Sequence, residues 1–380
     1  MLLVIFIVLV TACYLGLITA LIYGWKRLPD FRLYKIDVET GFTIVIPYRN
    51  EAENLPNLFK SLSGLHYPLD KFEIILVNDE SQDQSKTLCE EFKRNFPEMN
   101  IRLLENVRRS ASPKKDAVET AIAESAFDYI ATTDADCIVP ANWLRGFDQE
   151  ICDNNSRFIA GPVGFIQEAG KRKALFKSFE EMDFLSLQST TIGSFGLEKP
   201  FMCNAANMCY EKKAFMAHSG FSENENIASG DDVFLLQTLR KNGLKVSFLN
   251  SSGQMVYTKF QRDLPGLINQ RIRWAAKTTG YKSWFGKFTG IIVFLMNLLL
   301  IIYAGLALVG LVPYHYVMLA FLLKFNVDFI LIYKAAKFFK RESLMRSYFW
   351  CSILYPFFSV YVAGVSLFNG YEWKGRKFRK

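Results

Sequence analysis

Phe42-Thr-Ile-Val-Ile-Pro-Tyr-Arg-Asn-Glu51 is an apolar, largely β-branched run that meets a proline and turns polar at once. A short apolar run bounded by a turn signal reads as a buried strand. Two more segments follow the same plan. Phe72-Glu-Ile-Ile-Leu-Val77 gives way to Asn78-Asp79-Glu80-Ser81, and Tyr129-Ile-Ala-Thr-Thr133 gives way to Asp134-Ala135-Asp136. Helical patterns cover 51–62, 84–95 and 114–126, with a shorter strand at 101–104. Strands alternating with helices predict a parallel sheet of βαβ units. Ligands of such sheets bind beyond the carboxyl ends of the strands. One polar turn after a strand is an ordinary solvated loop, but three at one edge form an acidic, hydroxyl-bearing crevice.

Asp134 and Asp136 place two carboxylates one residue apart just past a strand. That spacing suits one hard divalent cation, Mn²⁺ or Mg²⁺, which can in turn hold phosphate oxygens.

Outward from this core the chain becomes apolar. Of its 380 residues, 51% are hydrophobic and 15% aromatic; that excludes a disordered chain. Residues 1–25 carry no charge, enough to cross a bilayer, which takes ~20 residues. With no basic leader segment or small-residue cleavage site, the stretch reads as an uncleaved anchor. Lys26, Arg27, Arg32 and Lys35 follow it, which predicts a cytoplasmic domain after the anchor. Residues 288–323 are also uncharged and are divided by Pro313. They predict spans at 289–311 and 314–336, the second with Lys324 and Asp328 paired four residues apart. A third uncharged run, 347–371, contains Pro356 and precedes Lys374, Arg376, Lys377, Arg379 and Lys380. Four simple crossings would put this basic tail outside, so the run is expected to be a re-entrant hairpin or an interfacial element. The domains expected are therefore an anchor (1–25), a catalytic domain (40–264), an amphipathic interfacial segment (265–288), a membrane region (289–371) and a basic tail (372–380).

The net charge of +8 does not point to nucleic acid, because the basic residues gather beside the apolar runs, where a membrane surface attracts them. Seven scattered cysteines form no CxxC pair. This excludes a zinc ribbon or disulfide framework, and Cys203 and Cys209 read as reduced cytoplasmic residues.

Taken in order, the motifs resemble the family 2 glycosyltransferases. They are Val45-Ile-Pro-Tyr-Arg-Asn-Glu51, Val77-Asn-Asp-Glu-Ser-Gln-Asp83, Lys114-Lys-Asp-Ala-Val118, Thr133-Asp-Ala-Asp136, Cys203-Asn-Ala-Ala-Asn-Met208, Ser229-Gly-Asp-Asp232 and Gln270-Arg-Ile-Arg-Trp274. The likeness covers about 40–275 and is nearest to the membrane-anchored QxxRW branch, which includes cellulose-, chitin- and hyaluronan-synthase-like enzymes and ceramide glucosyltransferase. It implies a GT-A fold, a mostly parallel Rossmann-like sheet, with transmembrane helices at both ends.

The resemblance also assigns roles. Pro47, Glu51 and Asp79 belong to the nucleotide-sugar site, with Glu51 and Asp79 on the nucleoside. Lys114 faces phosphate or sugar, although Lys114-Lys115 at a helix start reads equally well as a solvated face. Asp134 faces the nucleotide sugar and Asp136 holds the metal. Asp231-Asp232 stands where the family has Glu-Asp, whose second member is the general base. Gly-Asp-Asp before Val-Phe-Leu-Leu is by itself a helix start, so Asp231 is expected to cap while Asp232 does chemistry. Asn207 and Trp274 are expected at the acceptor, and Gln270 and Arg273 near the diphosphate. Two departures stand out: Glu80 replaces the family's glycine, and Asn78 replaces its first aspartate. The expected protein is an inverting, inner-membrane enzyme (if bacterial). It uses a nucleotide-sugar donor, expected to be a UDP-sugar, with a lipid or membrane-tethered glycan acceptor. A processive polysaccharide synthase and a non-catalytic nucleotide-binding membrane protein are the alternatives.

Overall fold

The computed structural model describes residues 2–34, 37–167, 175–218, 220–221, 230–368 and 370–378. The chain forms two compact units: residues 29–167 with 202–259, and residues 1–28 with 168–201 and 260–380.

The first unit is built on a seven-stranded sheet. It contains β1 (Phe42–Tyr48), α2 (Leu55–Ser63), β2 (Phe72–Asn78), α3 (Ser85–Asn95), β3 (Ile101–Glu105), α4 (Pro113–Glu124), β4 (Tyr129–Thr132) and α5 (Trp143–Asn154). It continues with β5 (Phe158–Ala160), β6 (Val163–Phe165), β7 (Met208–Glu211), α7 (Lys212–Ala217), α8 (Asp231–Lys241), β8 (Val246–Phe248) and β9 (Val256–Thr258). The strand order is β3-β2-β1-β4-β7-β5-β8. The first four are mutually parallel, with Phe42 opposite both Phe72 and Tyr129. Strands buried on both faces need continuous apolar runs, and all seven residues of β2 are buried. β7 runs antiparallel to both β4 and β5, so the sheet is mostly parallel with one reversed strand, a GT-A-like arrangement. β6 and β9 form a separate parallel pair.

The second unit contains α1 (Leu2–Arg27), α6 (Leu175–Gly196), α9 (Leu264–Ala276), α10 (Trp284–Leu308), α11 (Tyr314–Phe338), α12 (Tyr348–Phe368) and the hairpin β10 (Tyr371–Trp373)–β11 (Arg376–Phe378). Four segments, Val4–Arg27, Trp284–Leu308, Tyr314–Phe338 and Glu342–Phe368, are long and apolar enough to cross a membrane. Pro313 separates the second from the third, as the sequence predicts. Lys324 and Asp328 pair at 2.5 Å, and Tyr14 donates to the same carboxylate at 2.7 Å. A charge at membrane depth is thereby neutralised by its neighbours.

Two features differ from expectation. Of the two alternatives for 347–371, a hairpin or an interfacial element, the described residues do not form the hairpin. α12 runs unbroken through Pro356, because a proline removes one helical hydrogen bond and neighbouring groups in a membrane bundle compensate for it. α6, expected inside the catalytic domain, instead groups with the apolar helices. A Cβ at Gly193 or Gly196 would collide with the α1 backbone at Leu21 or Gly24, so these glycines permit close helix contact. The buried acids of α6 are matched within the same unit: Asp183 pairs with Arg271 at 2.5 Å and Glu181 with Arg341 at 2.7 Å.

Candidate functional site

The carboxyl ends of β1, β2 and β4 lie side by side in the parallel register, and each carries the polar cluster read from sequence. Pro47, the ladder partner of Val77, sits at the last turn of the pleat before the β1 loop. The β1 and β2 loops are tied together. Asn50 accepts from the Gln82 N–H at 2.8 Å, the Asn50 N–H donates to Ser81 Oγ at 3.1 Å, and the Glu51 N–H donates to Ser85 Oγ at 2.8 Å. Asn50 and Glu80 both have positive φ, 52° and 58°. The position where the family has glycine is thus one that favours glycine, and Glu80 occupies it under strain.

Glu51 and Asp79 are buried at 7% and 5% exposure. Asn54 donates to the Glu51 carboxylate. Asp79 accepts from Asn106 Nδ2 at 2.8 Å and lies 3.9 Å from Arg108. Arg108 is held by Asp116, which also accepts from the Arg109 and Ser110 N–H groups. Burial opposes the Asp116 charge, but these donors outweigh it and hold the carboxyl below its ordinary range. Asp116 therefore shapes the loop beside Asp79, a residue that the sequence motifs alone leave unassigned.

Lys114 is the hub of the other half. It extends from the first turn of α4 to Asp134 Oδ1 at 2.7 Å and Asp231 Oδ2 at 3.4 Å. Burial works against its charge, but Asp134 and Asp231 prevail and hold the ammonium above the usual lysine range. The solvated-face reading therefore fails for Lys114. Lys115 is buried at 2% exposure against the rings of Phe221 and Phe234.

The Asp231-Asp232 pair begins α8, after Gly230 at φ 92°. The two carboxylates have different neighbours. Asp232 accepts from the Val233 N–H at 2.7 Å and the Ala205 N–H at 3.3 Å, whereas Asp231 reaches Lys114. Ser229, in the same motif, lies outside the described residues.

Asn207, expected at the acceptor, is held inside the unit. It is fully buried, accepts from Trp143 Nε1 at 2.9 Å and donates to the Pro162 and Gln254 carbonyls, each at 2.9 Å. Both amide hydrogens are engaged, so it ties the Pro162 and Gln254 carbonyls and the Trp143 indole together.

A metal is testable against this geometry. One ligand atom from each of Asp134, Asp136 and Cys137 lies within 4.8 Å of the others. Burial pushes the Cys137 thiol well above its ordinary pKa, and a soft sulfur suits a hard cation less well than carboxylate oxygen. Two carboxylates remain, hard oxygen donors that fit Mn²⁺ or Mg²⁺.

Gln270, Arg273 and Trp274 lie on α9, in the other unit. Gln270 accepts from Arg271, whose guanidinium stands 4.3 Å over the Trp274 ring. Phe184 lies 6.2 Å from the same ring, so Trp274 is packed by neighbours of its own unit.

Residues 43–218 match the family described as glycosyl transferase family 2. The chain is 27% identical over 141 residues to Glycosyltransferase AglE of Haloferax volcanii, covering 37% of this chain and 45% of that one. It is 23% identical over 257 residues to a poly-beta-1,6-N-acetyl-D-glucosamine synthase of Staphylococcus aureus, covering 67% and 57%. It spans about half the length of these relatives. The fold is shared with Mannosyltransferase PcManGT from Pyrobaculum calidifontis, solved with GDP-Man and Mn²⁺, at TM-score 0.58 and 15% identity over 92% of this chain and 99% of that one.

Proposed function

We propose that this chain is an inverting glycosyltransferase of the membrane-anchored QxxRW type. It moves a sugar from a nucleotide-sugar donor, a UDP-sugar first, to a lipid or membrane-tethered glycan acceptor. The observation that carries the reading is Lys114, within 3.4 Å of both Asp134 and Asp231. One ammonium joins the two acidic motifs that the reaction requires at a single sheet edge.

In this reading Glu51 and Asp79 hold the nucleoside, and Pro47 shapes the wall beside them. A divalent cation on Asp134 and Asp136 supplies charge neutralisation to the diphosphate. The solved relative named above holds GDP-Man and Mn²⁺ on the same fold, which supports this assignment. Asp232 takes the acceptor hydroxyl proton as that oxygen attacks the anomeric carbon. The bond to the diphosphate breaks on the opposite face, so one displacement inverts the configuration. No second nucleophilic carboxylate is needed, unlike a retaining glycosidase. The two N–H groups on Asp232 fix its orientation for that transfer. Asp231 positions Lys114, and the resemblance assigns Gln270, Arg273 and Trp274 to the acceptor and diphosphate. The sheet unit faces the cytoplasm, where nucleotide sugars are made.

The test is purified full-length protein with a panel of labelled UDP- and GDP-sugars, Mn²⁺ and membrane lipid extract. Label is expected to move from one donor into the lipid phase. No donor consumed across the panel overturns the reading. The 257-residue match to the Staphylococcus aureus synthase favours a second outcome, a processive polymer, which the same assay reads as product that lengthens with time.

A further inference from the structure

Lys259 lies where no motif reading looks, directly after β9 and before the QxxRW helix. Its ammonium donates to Asn54 Oδ1, and Asn54 in turn donates to Glu51 Oε2. This places a cation one residue away from the carboxylate assigned to the nucleoside.

Its other side is fixed by the sheet. Tyr257 bridges Ile138 in antiparallel fashion, with N–H to carbonyl distances of 2.8 and 2.9 Å. Lys259 and Asp136 each lie two residues from this antiparallel bridge, on the same side of it. Lys259 therefore reaches Glu51 through Asn54 and lies near the segment that carries Asp136, the nucleoside end and the metal end of the crevice in the reading above. The diphosphate of a bound nucleotide sugar must cross that interval.

Charge points the same way. Glu51, Asp79, Asp134, Asp136, Asp231 and Asp232 make the crevice strongly anionic, and a diphosphate adds more negative charge. Lys114, Arg49 and Arg108 each already have a carboxylate within 4.0 Å. Among the described residues Lys259 has a neutral amide oxygen as its hydrogen-bond partner. An ammonium held by an amide oxygen gains by exchanging it for an anionic phosphate oxygen, because charge-assisted hydrogen bonds are about twice as strong as neutral ones.

We propose that Lys259 is a further donor-contacting residue, its ammonium closing on the phosphate oxygens of a nucleoside diphosphate between Glu51 and Asp136. The inference rests on the nucleotide-sugar reading above. As the ammonium leaves Asn54, that amide stays on Glu51 and the nucleoside contact is preserved.

The experiment measures equilibrium binding to full-length protein in detergent with Mn²⁺. The probes are UDP or GDP (whichever the wild type binds more tightly), the parent nucleoside, and inorganic pyrophosphate. Lys259→Met keeps the stem and removes the charge. It should weaken the nucleoside diphosphate and pyrophosphate by about tenfold and leave the nucleoside unchanged, and Lys259→Arg should restore most of the loss. An unchanged diphosphate affinity in Lys259→Met overturns the proposal. So does an equal loss for diphosphate and nucleoside, which would mean that Lys259 acts only through Asn54 on Glu51. Wild-type protein that binds neither UDP nor GDP overturns the donor reading itself, and this inference with it.

Discussion

Asp134 and Asp136 supply only two carboxylates, so most of a metal's coordination is left to water and phosphate. The cation should therefore bind weakly without nucleotide and be removed readily by chelator. Chelation is expected to abolish transfer, and Asp136→Asn to mimic it; full activity in excess chelator would contradict the assignment. Glu80 is a second residue with a local consequence. At φ 58° a side chain costs about 1 kcal/mol that glycine does not. Its ion pair with Arg49, at 3.5 Å with the glutamate 67% exposed, contributes little in return. Glu80→Gly should raise the thermal midpoint by the equivalent of about 1 kcal/mol; a lower midpoint would mean that the Arg49 contact outweighs the backbone strain.

α6 carries the clearest pH signature of any element. Burial pushes the Glu180 carboxyl up to about 7, although the Gln261 N–H and Arg271 partly oppose the shift. The Gln261 N–H reaches both carboxylate oxygens, at 3.0 and 3.2 Å. A raised folded-state pKa means that the folded protein keeps a proton the unfolded chain releases near ~4.3. The stability from this group is complete below that unfolded value and is lost as pH rises through about 7. Thermal unfolding of the wild type should therefore show a decline across this window that Glu180→Gln flattens. Identical pH profiles for the two proteins would contradict it. α12 makes a topological prediction. It packs against α9, and β10 packs against α9 as well. An apolar helix beside an amphipathic one fits an interfacial position, which would keep the basic tail on the side of α9 and agree with the charge rule. A cysteine introduced at Lys374, in the β10–β11 turn, should escape labelling from outside intact cells; efficient labelling would establish a full crossing by α12.

Across the whole molecule, legibility follows from length and burial. β1, β2 and β4 are runs covered on both faces, so their apolar pattern is continuous and their polar ends are conspicuous. β5, β6, β8 and β9 have three residues each, too few for any period to register, and β7 reverses direction without a local sign. Asn207 lies in a motif, and that it also satisfies two buried backbone carbonyls is something only the tertiary structure reveals. α6 reads as polar for the same reason: Glu181 and Asp183 find their arginines some 160 and 88 residues away in sequence. Lys259 is a single charged residue whose meaning depends on which strands become neighbours. The acidic pair before α8 is legible as a site, but the division of labour within it is not, and it bears most directly on the central claim that this crevice performs sugar transfer. The decisive measurement is the transfer rate and nucleotide affinity of Asp231→Asn and Asp232→Asn, side by side with wild type on the donor found active. Loss of a general base costs ~10²–10⁴-fold in rate. Asp232→Asn should fall by that factor with nucleotide affinity almost unchanged, and Asp231→Asn should fall less. Full activity in both variants would place the chemistry elsewhere and contradict the account. A dead Asp231→Asn beside an active Asp232→Asn would move the base to the carboxylate that touches Lys114.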